Sequence, residues 1–367
     1  MPCQYPSRRA SQQGAIGGTV NVMRAAIFNE PRSITPGDRP DPSLAEPTDA
    51  IVRVVLACVC GSDLWYYRGD SPFHPGPIGH EFIGVVEDTG SMVSSVNKGD
   101  LAIAPFAFSD GTCPNCQHGI TTACMNGGFF PQNGDGGQGE AVRVPLADST
   151  LVTVPGSGHS DEMMRSLLTL SDVFATGHHA AVCANVEAGQ TVAVVGGGAV
   201  GLSGVLAAKR LGAERIIALS RHADRQALAQ QFGATDIVAE RGEEAVEMIK
   251  EMTGGVCADA TLECVGTGQS METAIAIARA GSMVGFVGVP HGVELPIGQM
   301  FYRTVGVRGG GAPVRVYLPE LLDDVLSESI NPGLVLDYET DLEGIAEAYA
   351  AMDERRAIKS LVRVGSL

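Results

Sequence analysis

The stretch T-V-A-V-V-G-G-G-A-V-G at residues 191–201 decides the fold of this chain. Its first five residues are apolar without interruption, which is typical of a strand buried on both faces of a parallel sheet. The glycines that follow, Gly196, Gly198 and Gly201, have the G-x-G-x-x-G spacing, and Ala199 and Val200 stand where a helix should begin. Such glycines allow a tight turn and a close approach of backbone N–H groups to a pyrophosphate. A strand before the motif and a helix after it favour a dinucleotide site.

Strands and helices alternate on both sides of this motif. Helices are predicted over Ala223–Phe232, Glu243–Met252 and Ser270–Ala280, with short apolar strands between them, so a doubly wound parallel sheet is expected over residues 174–312. Residues 23–173 read instead as short β runs broken by Gly and Pro. The chain after residue 312 carries two further predicted helices, Pro319–Ser327 and Leu342–Met352, and a last strand, Ser360–Val364. Residues 1–22 are polar and read as a flexible extension.

The end of the second predicted strand of the dinucleotide unit indicates which coenzyme binds. An enzyme that uses NAD commonly places Asp or Glu there, about 20 residues after the glycines, to accept from the ribose hydroxyls. Here the position is held by Ser220, and Arg221, His222 and Arg225 follow. An uncharged residue followed by cations accommodates a 2′-phosphate, so NADP is favoured over NAD.

Composition narrows the possible partners. The 367 residues carry a net charge of −17, which repels nucleic acid and anionic lipid, and no apolar run approaches the roughly 20 residues that a membrane helix needs. The nine cysteines are odd in number and no signal peptide is recognisable, so reduced thiols in a cytoplasmic protein are expected, some of them metal ligands.

Three motifs carry a family resemblance. G-H-E-F-I-G-V-V-E-D-T-G-S-M-V at 79–93, V-C-G-S-D at 59–63 and L-S-D-V-F-A-T-G-H-H-A at 170–180 resemble the zinc-containing alcohol dehydrogenases of the medium-chain dehydrogenase/reductase family. The resemblance implies an α/β protein in which a GroES-like, β-rich catalytic domain (23–173 and 313–367) is joined to a Rossmann coenzyme domain (174–312). It also implies hydride transfer between NAD(P) and a small alcohol or carbonyl compound, and a homodimer or homotetramer.

The resemblance assigns a catalytic zinc ion to Cys60, His80 and Asp172, and Glu81 is the competing third ligand. Asp63 matches a carboxylate that orients the ligating histidine. A second, structural zinc ion is implied at D-G-T-C-P-N-C-Q-H-G-I-T-T-A-C, residues 110–124, where an aspartate replaces the first of four thiolates. Its expected ligands are Asp110, Cys113, Cys116 and Cys124, and a metal-free loop with reduced thiols is the alternative.

The resemblance implies roles for other residues as well, from their positions within these motifs. Ser62 matches a hydroxyl that passes the substrate proton toward the coenzyme ribose, but Trp65 stands where many relatives complete this relay with histidine. Because indole N–H only donates, Trp65 is expected in the pocket wall, together with Tyr66. His178 is a further pocket candidate, and a structural histidine is the alternative for it. The expected contacts of the nicotinamide and the pyrophosphate are Thr176, Cys264, Val265, Gly288, Val289 and Lys359.

Three other functions remain open. A polyol, sugar or amino-alcohol dehydrogenase of the same family would share every motif. A zinc-free quinone or enone reductase would leave Cys60, His80 and Asp172 without a purpose. A non-catalytic relative that keeps the coenzyme fold would not need the metal residues or Ser62.

Overall fold

The computed structural model describes residues 21–132 and 135–366. Most of the predicted extension, residues 1–20, lies outside the described residues, and the first strand begins at Val22, one residue before the expected start. No helix within the described residues has the length and apolarity needed to cross a membrane.

The part before residue 173 is rich in short strands. Its strands are β1 Val22–Glu30, β2 Ser33–Pro40, β3 Ala50–Cys58, β4 Gly76–Pro77, β5 Glu81–Thr89, β6 Leu101–Ala104, β7 Ala107–Phe108, β8 Gly128–Phe129, β9 Ala141–Val144 and β10 Val152–Thr153. Its helices are α1 Asp63–Arg68, α2 Pro114–Gln117, α3 Ala147–Thr150 and α4 Asp161–Thr169, with a 3₁₀ turn at Thr121–Ala123. Strands β10, β6, β5 and β3 lie side by side in one sheet, and β9 also pairs with β3.

The register of this sheet brings distant residues of the sequence together. Strands β3 and β5 are antiparallel, and Cys58 lies opposite Glu81. The end of β3 therefore lies beside the start of β5, and the segments that carry Cys60 and His80 leave the sheet at the same place.

A parallel sheet with helices packed on it follows. Its strands are β11 Thr191–Val195, β12 Arg215–Leu219, β13 Asp236–Val238, β14 Ala258–Glu263, β15 Ala278–Phe286 and β16 Gly306–Gly309. The helices of this part are α5 Val173–Cys183, α6 Ala199–Arg210, α7 Ala223–Gln231, α8 Gly242–Met252, α9 Gly268–Ile277 and α10 Ile297–Arg303. All neighbouring strands run parallel in the order β13-β12-β11-β14-β15-β16, which is the doubly wound order of a Rossmann fold. The predicted fold class is confirmed.

The chain then returns to the first sheet. It forms α11 Val314–Leu326, a 3₁₀ turn at Pro332–Val335, β17 Tyr338–Asp341, α12 Ile345–Asp353 and β18 Ser360–Arg363. Strand β18 is antiparallel to β3, with Leu361 opposite Cys58. The start of β18 therefore lies beside the loop that carries Cys60, and the backbone N–H of Val59 donates to the carbonyl of Ser360.

Helices α9, α11 and α12 each have an end that differs from the prediction by three to five residues, and α12 begins at Ile345 instead of Leu342. Helix α11 begins at Val314, five residues before Pro319, because Val314 and Leu318 are buried on the same face as Leu321 and extend the apolar stripe toward the N-terminus. Helix α9 ends at Ile277 and not at residue 280, since the chain passes directly into β15 at Ala278.

Candidate active site

Three side chains from separate elements meet at the base of a cleft. Cys60 follows β3, His80 precedes β5, and Asp172 is the residue before the first turn of α5. The Sγ atom of Cys60 lies 3.8 Å from Oδ2 of Asp172, and Nε2 of His80 lies 3.3 Å from the same oxygen. One ligand atom from each of these residues and from Glu81 falls within 4.8 Å of the others. A thiol, an imidazole and a carboxylate at this separation are a donor set that fits zinc.

Asp63 fixes the orientation of His80. Its Oδ1 atom lies 3.2 Å from Nδ1 of His80, and its other oxygen accepts from the backbone N–H of Cys60 at 3.1 Å. With Nδ1 facing Asp63, Nε2 faces Asp172 and Cys60, where a metal ion would take the place of its proton. Burial lowers the pKa of His80, but the negative charges of Asp63 and Cys60 outweigh it and raise that pKa well above its usual value. This concentration of negative donors favours a cation between them.

Asp172 is held in place by helix α5. The Oγ1 atom of Thr176 donates to Oδ1 of Asp172 at 2.6 Å, which leaves Oδ2 directed at Cys60 and His80. Burial raises the pKa of Asp172, but contacts with His80 and the Thr176 hydroxyl outweigh it, so the pKa lies below the usual value. The carboxylate is therefore ionised, as a metal ligand requires.

Glu81 is engaged elsewhere. Its Oε1 accepts from Nζ of Lys359 at 2.6 Å, and its Oε2 accepts from the Sγ–H of Cys58 at 3.3 Å. Both oxygens of Glu81 therefore have partners, whereas Oδ2 of Asp172 faces Cys60 and His80; one oxygen of Glu81 nevertheless lies within 4.8 Å of the other ligand atoms.

The prediction for Lys359 is corrected by this contact. Lys359 was expected to face the pyrophosphate, but its side chain is buried, and Nζ donates to Glu81 and to the carbonyl of Val59. The pairing of β18 with β3 places Lys359 beneath the metal residues, away from the coenzyme. A basic residue near the end of the chain does not reveal from its sequence whether it faces solvent or a buried carboxylate.

The four residues of the expected structural zinc site lie close together in the structure. Asp110, Cys113, Cys116 and Cys124 each offer one ligand atom, and all four atoms lie within 4.8 Å of one another. The Sγ atom of Cys113 lies 3.5 Å from that of Cys116 and 3.9 Å from that of Cys124. Burial raises the pKa of Asp110, but hydrogen bonds from the Cys113 backbone, the Asn126 side chain and the Thr112 backbone keep it well below its usual range. Three thiols and an ionised carboxylate fit a closed tetrahedral zinc site.

A cavity of about 550 Å³ opens above the catalytic cluster. The predicted residues Ser62, Trp65 and Tyr66 line it on the side of α1. Three further aromatic residues, which the sequence analysis did not identify, are Phe106, Phe129 and Phe130. Phe106 follows β6, and its ring centroid lies 6.3 Å from that of His80. The alternating apolar residues after β6 could have indicated that Phe106 is partly buried. They could not show that the loop returns over the metal residues.

An aromatic pair joins the two walls of this cavity. The Trp65 ring stacks on the imidazole of His291, with centroids 3.4 Å apart and an interplanar angle of 21°. Trp65 lies on α1, and His291 belongs to the loop after β15. The placement of Trp65 in the cavity wall agrees with its expected position, whereas His291 was not predicted.

The residues expected around the nicotinamide are on the opposite wall of the same cavity. They are Thr176, Cys264, Val265, Gly288 and Val289, and Val200 of the glycine motif lines the cavity beside them. The turns that follow β14 and β15 pack tightly here, because a Cβ on Gly288 would lie 2.1 Å from the backbone nitrogen of Gly266.

The glycine motif lines a second cavity, which has a volume of about 480 Å³. A Cβ on Gly201 would lie 1.8 Å from the carbonyl oxygen of Gly196, so helix α6 can start this close to β11 only with glycine. Gly198 precedes the first turn of α6 and lines the cavity. Ala199 begins that helix. This arrangement directs free N–H groups at the cavity, as a pyrophosphate requires.

The far end of this second cavity is basic. The predicted residues Ser220, Arg221, His222 and Arg225 line it. The Ser220 hydroxyl and Nε of Arg225 are buried and have no hydrogen-bond partner within the described part of the chain. Buried polar atoms of this kind usually have a partner, so they indicate a ligand with hydrogen-bonding oxygens. Two more cavity residues, Arg241 and Arg355, were missed because they stand on loops far from the motif.

His178 does not line the substrate cavity, and that prediction is corrected. Its ring is buried between α5 and α11, where Nε2 lies 3.1 Å from Oε1 of Glu320 and the ring packs edge-to-face against Tyr317. Within α5, Thr176 faces the cleft, and a residue two positions later points to another side of the helix.

Comparisons with known proteins agree with this architecture. The family model of the alcohol dehydrogenase GroES-like domain matches residues 46–156, and that of the zinc-binding dehydrogenases matches residues 199–325. Zinc-type alcohol dehydrogenase B of Aspergillus flavus is 31% identical over 360 residues, which cover 95% of this chain and 82% of that protein.

Solved structures give the same result. An alcohol dehydrogenase of Thermus sp. ATN1 superposes with a TM-score of 0.86 at 31% identity, over 93% of this chain and 100% of the other. A zinc-binding dehydrogenase of Sinorhizobium meliloti 1021 bound to NADP superposes with a TM-score of 0.81 at 25% identity, over 94% and 99% of the two chains. The family resemblance of the motifs is confirmed: the chain belongs to the zinc-dependent alcohol dehydrogenases of the medium-chain dehydrogenase/reductase family, which are NAD(P)-dependent oxidoreductases.

Proposed function

We propose that this chain oxidises small apolar alcohols, or reduces the matching aldehydes and ketones, with NADP as the preferred coenzyme and zinc held by Cys60, His80 and Asp172. The observation that carries the proposal is the meeting of these three side chains at the base of a cavity whose opposite wall leads to the glycine motif. A metal at this position supplies a Lewis acid toward the substrate oxygen.

The chain itself provides orientation and proton movement. Asp63 contacts His80, and the hydroxyl of Thr176 donates a hydrogen bond to Asp172, so that both ligands are held in position. Ser62 lines the cavity two residues after Cys60, and we propose that its hydroxyl accepts the substrate proton on the way to the coenzyme ribose. The indole of Trp65 only donates, so the proton does not continue through it.

The nature of the cavity wall favours apolar substrates over polyols or sugars. Trp65, Tyr66, Phe106, Phe129 and Phe130 surround the space above the metal residues. Aromatic rings bind apolar and flat groups well, and they offer few acceptors for the several hydroxyls of a sugar. Tyr66 already accepts a hydrogen bond from the Gln132 amide.

The preference for NADP is supported by the residues at the end of β12. No carboxylate stands at Ser220, and the cavity is lined by the cations Arg221 and Arg225, with His222 between them in the sequence. A 2′-phosphate can pair with guanidinium groups, and an unsubstituted ribose cannot.

We further propose a homodimer or homotetramer in the cytoplasm. Helix α10 exposes Ile297, Phe301 and Tyr302, the last two with 77% and 87% of their surface accessible, next to the edge strand β16. Exposed apolar side chains beside a free sheet edge favour association with a second copy. The cysteines of the described residues are all unpaired, as in a reducing compartment. Residues 23–173 with 313–367, and 174–312, remain our proposed domain limits.

The proposed function is tested with Cys60→Ala. We expect loss of one zinc equivalent per chain and a fall of at least about 1,000-fold in kcat for alcohol oxidation, because the metal position loses a ligand. Cys257→Ala, which removes a buried cysteine remote from both clusters, is the matched control. If Cys60→Ala kept the activity of the parent, the zinc mechanism would be wrong.

A further inference from the structure

The cavity at the adenosine end of the coenzyme cleft contains more cations than the motif predicts. Arg221 follows β12, Arg241 immediately precedes α8, and Arg355 lies in the turn after α12. All three line the cavity beside Ser220. Two of them belong to the Rossmann part, whereas Arg355 belongs to the segment that leads into β18 of the other sheet.

These three guanidinium groups lack counter-ions. No hydrogen bond or ion pair is made by their side chains within residues 21–132 and 135–366. The neighbouring Arg356, in contrast, pairs with Glu347 at 2.8 Å and with Glu354 at 2.7 Å. Burial and the positive charges of Arg221 and Arg355 lower the pKa of Arg241. The three cations therefore repel one another, and a bound anion would relieve that repulsion.

The position of Arg355 is fixed by a contact between the two parts of the chain. Arg225, at the start of α7, donates from Nη1 to the carbonyl of Gly197 and from Nη2 to the carbonyl of Ala357, both at 3.3 Å. One guanidinium thus connects the glycine motif to the segment two residues after Arg355. Arg355 itself adopts a left-handed backbone conformation with φ of 62°, which turns the chain toward the cavity.

We propose that Arg241 and Arg355 complete, with Arg221 and Ser220, a binding site for the 2′-phosphate of NADP that is shared between the Rossmann sheet and the segment after α12. The inference rests on the proposed preference for NADP and assigns it to residues that the glycine motif does not indicate. A phosphate monoester carries a charge of about −1.5 to −2 near pH 7, which matches a group of unpaired arginines.

Among the residues that the structure describes, Glu240 is the one carboxylate that lines this cavity. It lies two residues after β13 and could accept from a free ribose hydroxyl, as the acidic residue of an NAD enzyme does. If Glu240 had this role, the three arginines would be ordinary solvated side chains. The two possibilities predict opposite effects of neutralising Glu240.

Calorimetric binding of two coenzyme fragments, 2′,5′-ADP and 5′-AMP, tests the inference without hydride transfer. The parent should bind 2′,5′-ADP more tightly, and the ratio of the two dissociation constants should fall as salt is added. Arg355→Gln and Arg241→Gln should each reduce that ratio about tenfold, since each removes a charge-assisted contact. Arg356→Gln is the matched control and should leave the ratio unchanged, and thermal melts should show that all three variants fold.

The outcomes distinguish a failure of the proposed preference for NADP from a failure of the shared 2′-phosphate site. A parent that binds both fragments equally overturns the NADP preference and this inference with it, while the zinc-dependent reaction stands. A parent that prefers 2′,5′-ADP, combined with an unchanged ratio in Arg355→Gln, overturns the shared site alone. Glu240→Gln should leave or increase the preference for 2′,5′-ADP; loss of 5′-AMP binding in this variant would identify Glu240 as the ribose acceptor and contradict the inference.

Discussion

The Nζ atom of Lys359 lies 2.6 Å from Oε1 of Glu81, and neither side chain is more than 1% exposed. Burial alone would lower the pKa of Lys359, but the charges of Cys58 and Glu81 outweigh it and raise that pKa well above its usual value. The pair is therefore ionic, and it lies directly beneath the proposed zinc ligands.

Removing one member of this pair should destabilise the protein strongly. Lys359→Met leaves the Glu81 carboxylate buried without its partner, which costs about 3–5 kcal/mol in comparable pairs. Urea unfolding would measure the loss, with Lys98→Met, at an exposed lysine, as the control. The double variant Lys359→Met with Glu81→Gln should recover part of the stability. A single variant as stable as the parent would show that the pair contributes nothing.

Stability should depend on pH through His178. Burial, followed by the positive charge of Arg210, lowers the pKa of His178 to about 4, and the charge of Asp324 does not offset the burial. An unfolded histidine has a pKa of about 6.5. Between these values the unfolded chain binds a proton that the native protein does not, so stability falls as the pH decreases from about 6.5 to 4.

His178→Gln should flatten this dependence. In the parent, this residue lowers the free energy of unfolding by at most about 3 kcal/mol as the pH decreases from about 6.5 to 4. Urea midpoints measured from pH 7 to pH 4 would show it, with the exposed His74→Gln as the control. If His178→Gln and the parent lost stability in parallel, the buried neutral histidine would not be the cause.

The two metal sites should respond separately to substitution of Asp110. Asp110→Asn removes the anionic ligand, so we expect the zinc content to fall from two equivalents to one and the thermal midpoint to decrease. Asp110→Cys supplies a fourth thiolate and should retain both ions. Asp148→Asn, at an aspartate bound to Ser94 and Ser95, is the control. Elemental analysis that finds one zinc ion in the parent would contradict the second site.

Trp65 should favour substrates that carry an aromatic ring. Trp65→Leu removes the indole stacked on His291, so kcat/KM for benzyl alcohol relative to ethanol should fall about 3- to 10-fold. Phe301→Leu, on the exposed face of α10, should leave the ratio unchanged. An unaltered ratio in Trp65→Leu would mean that the substrate does not contact this wall.

Much of the fold was predictable because it depends on local patterns. The apolar run at 191–195 and the glycines after it can be read within one window of sequence, and so can the paired spacing of Cys113 and Cys116. The positions of Cys60, His80 and Asp172 were identified by motif, and the structure brings them together.

The wrong predictions concern the direction in which a side chain points and how deeply it is buried. A local sequence pattern encodes neither of these. Lys359 and Arg355 are both basic residues near the end of the chain, yet one is buried against Glu81 and the other lines the coenzyme cavity. The difference arises from the pairing of β18 with β3, more than 300 residues apart. His178 was misplaced because it lies two positions after Thr176 on α5, and its side chain therefore lies on another face of the helix.

The return of the chain to its first sheet has a consequence for synthesis on the ribosome. Glu81 and Lys359 are separated by 278 positions, so at about 5–20 residues per second the carboxylate is made roughly 15–55 s before its partner. Until then the first sheet lacks β18, and the negative groups around Cys60 and His80 have no buried cation beneath them. The Rossmann part can fold during this interval, since its strands are consecutive. Catalytic competence is therefore acquired only after β18 has paired with β3 and Lys359 has reached Glu81.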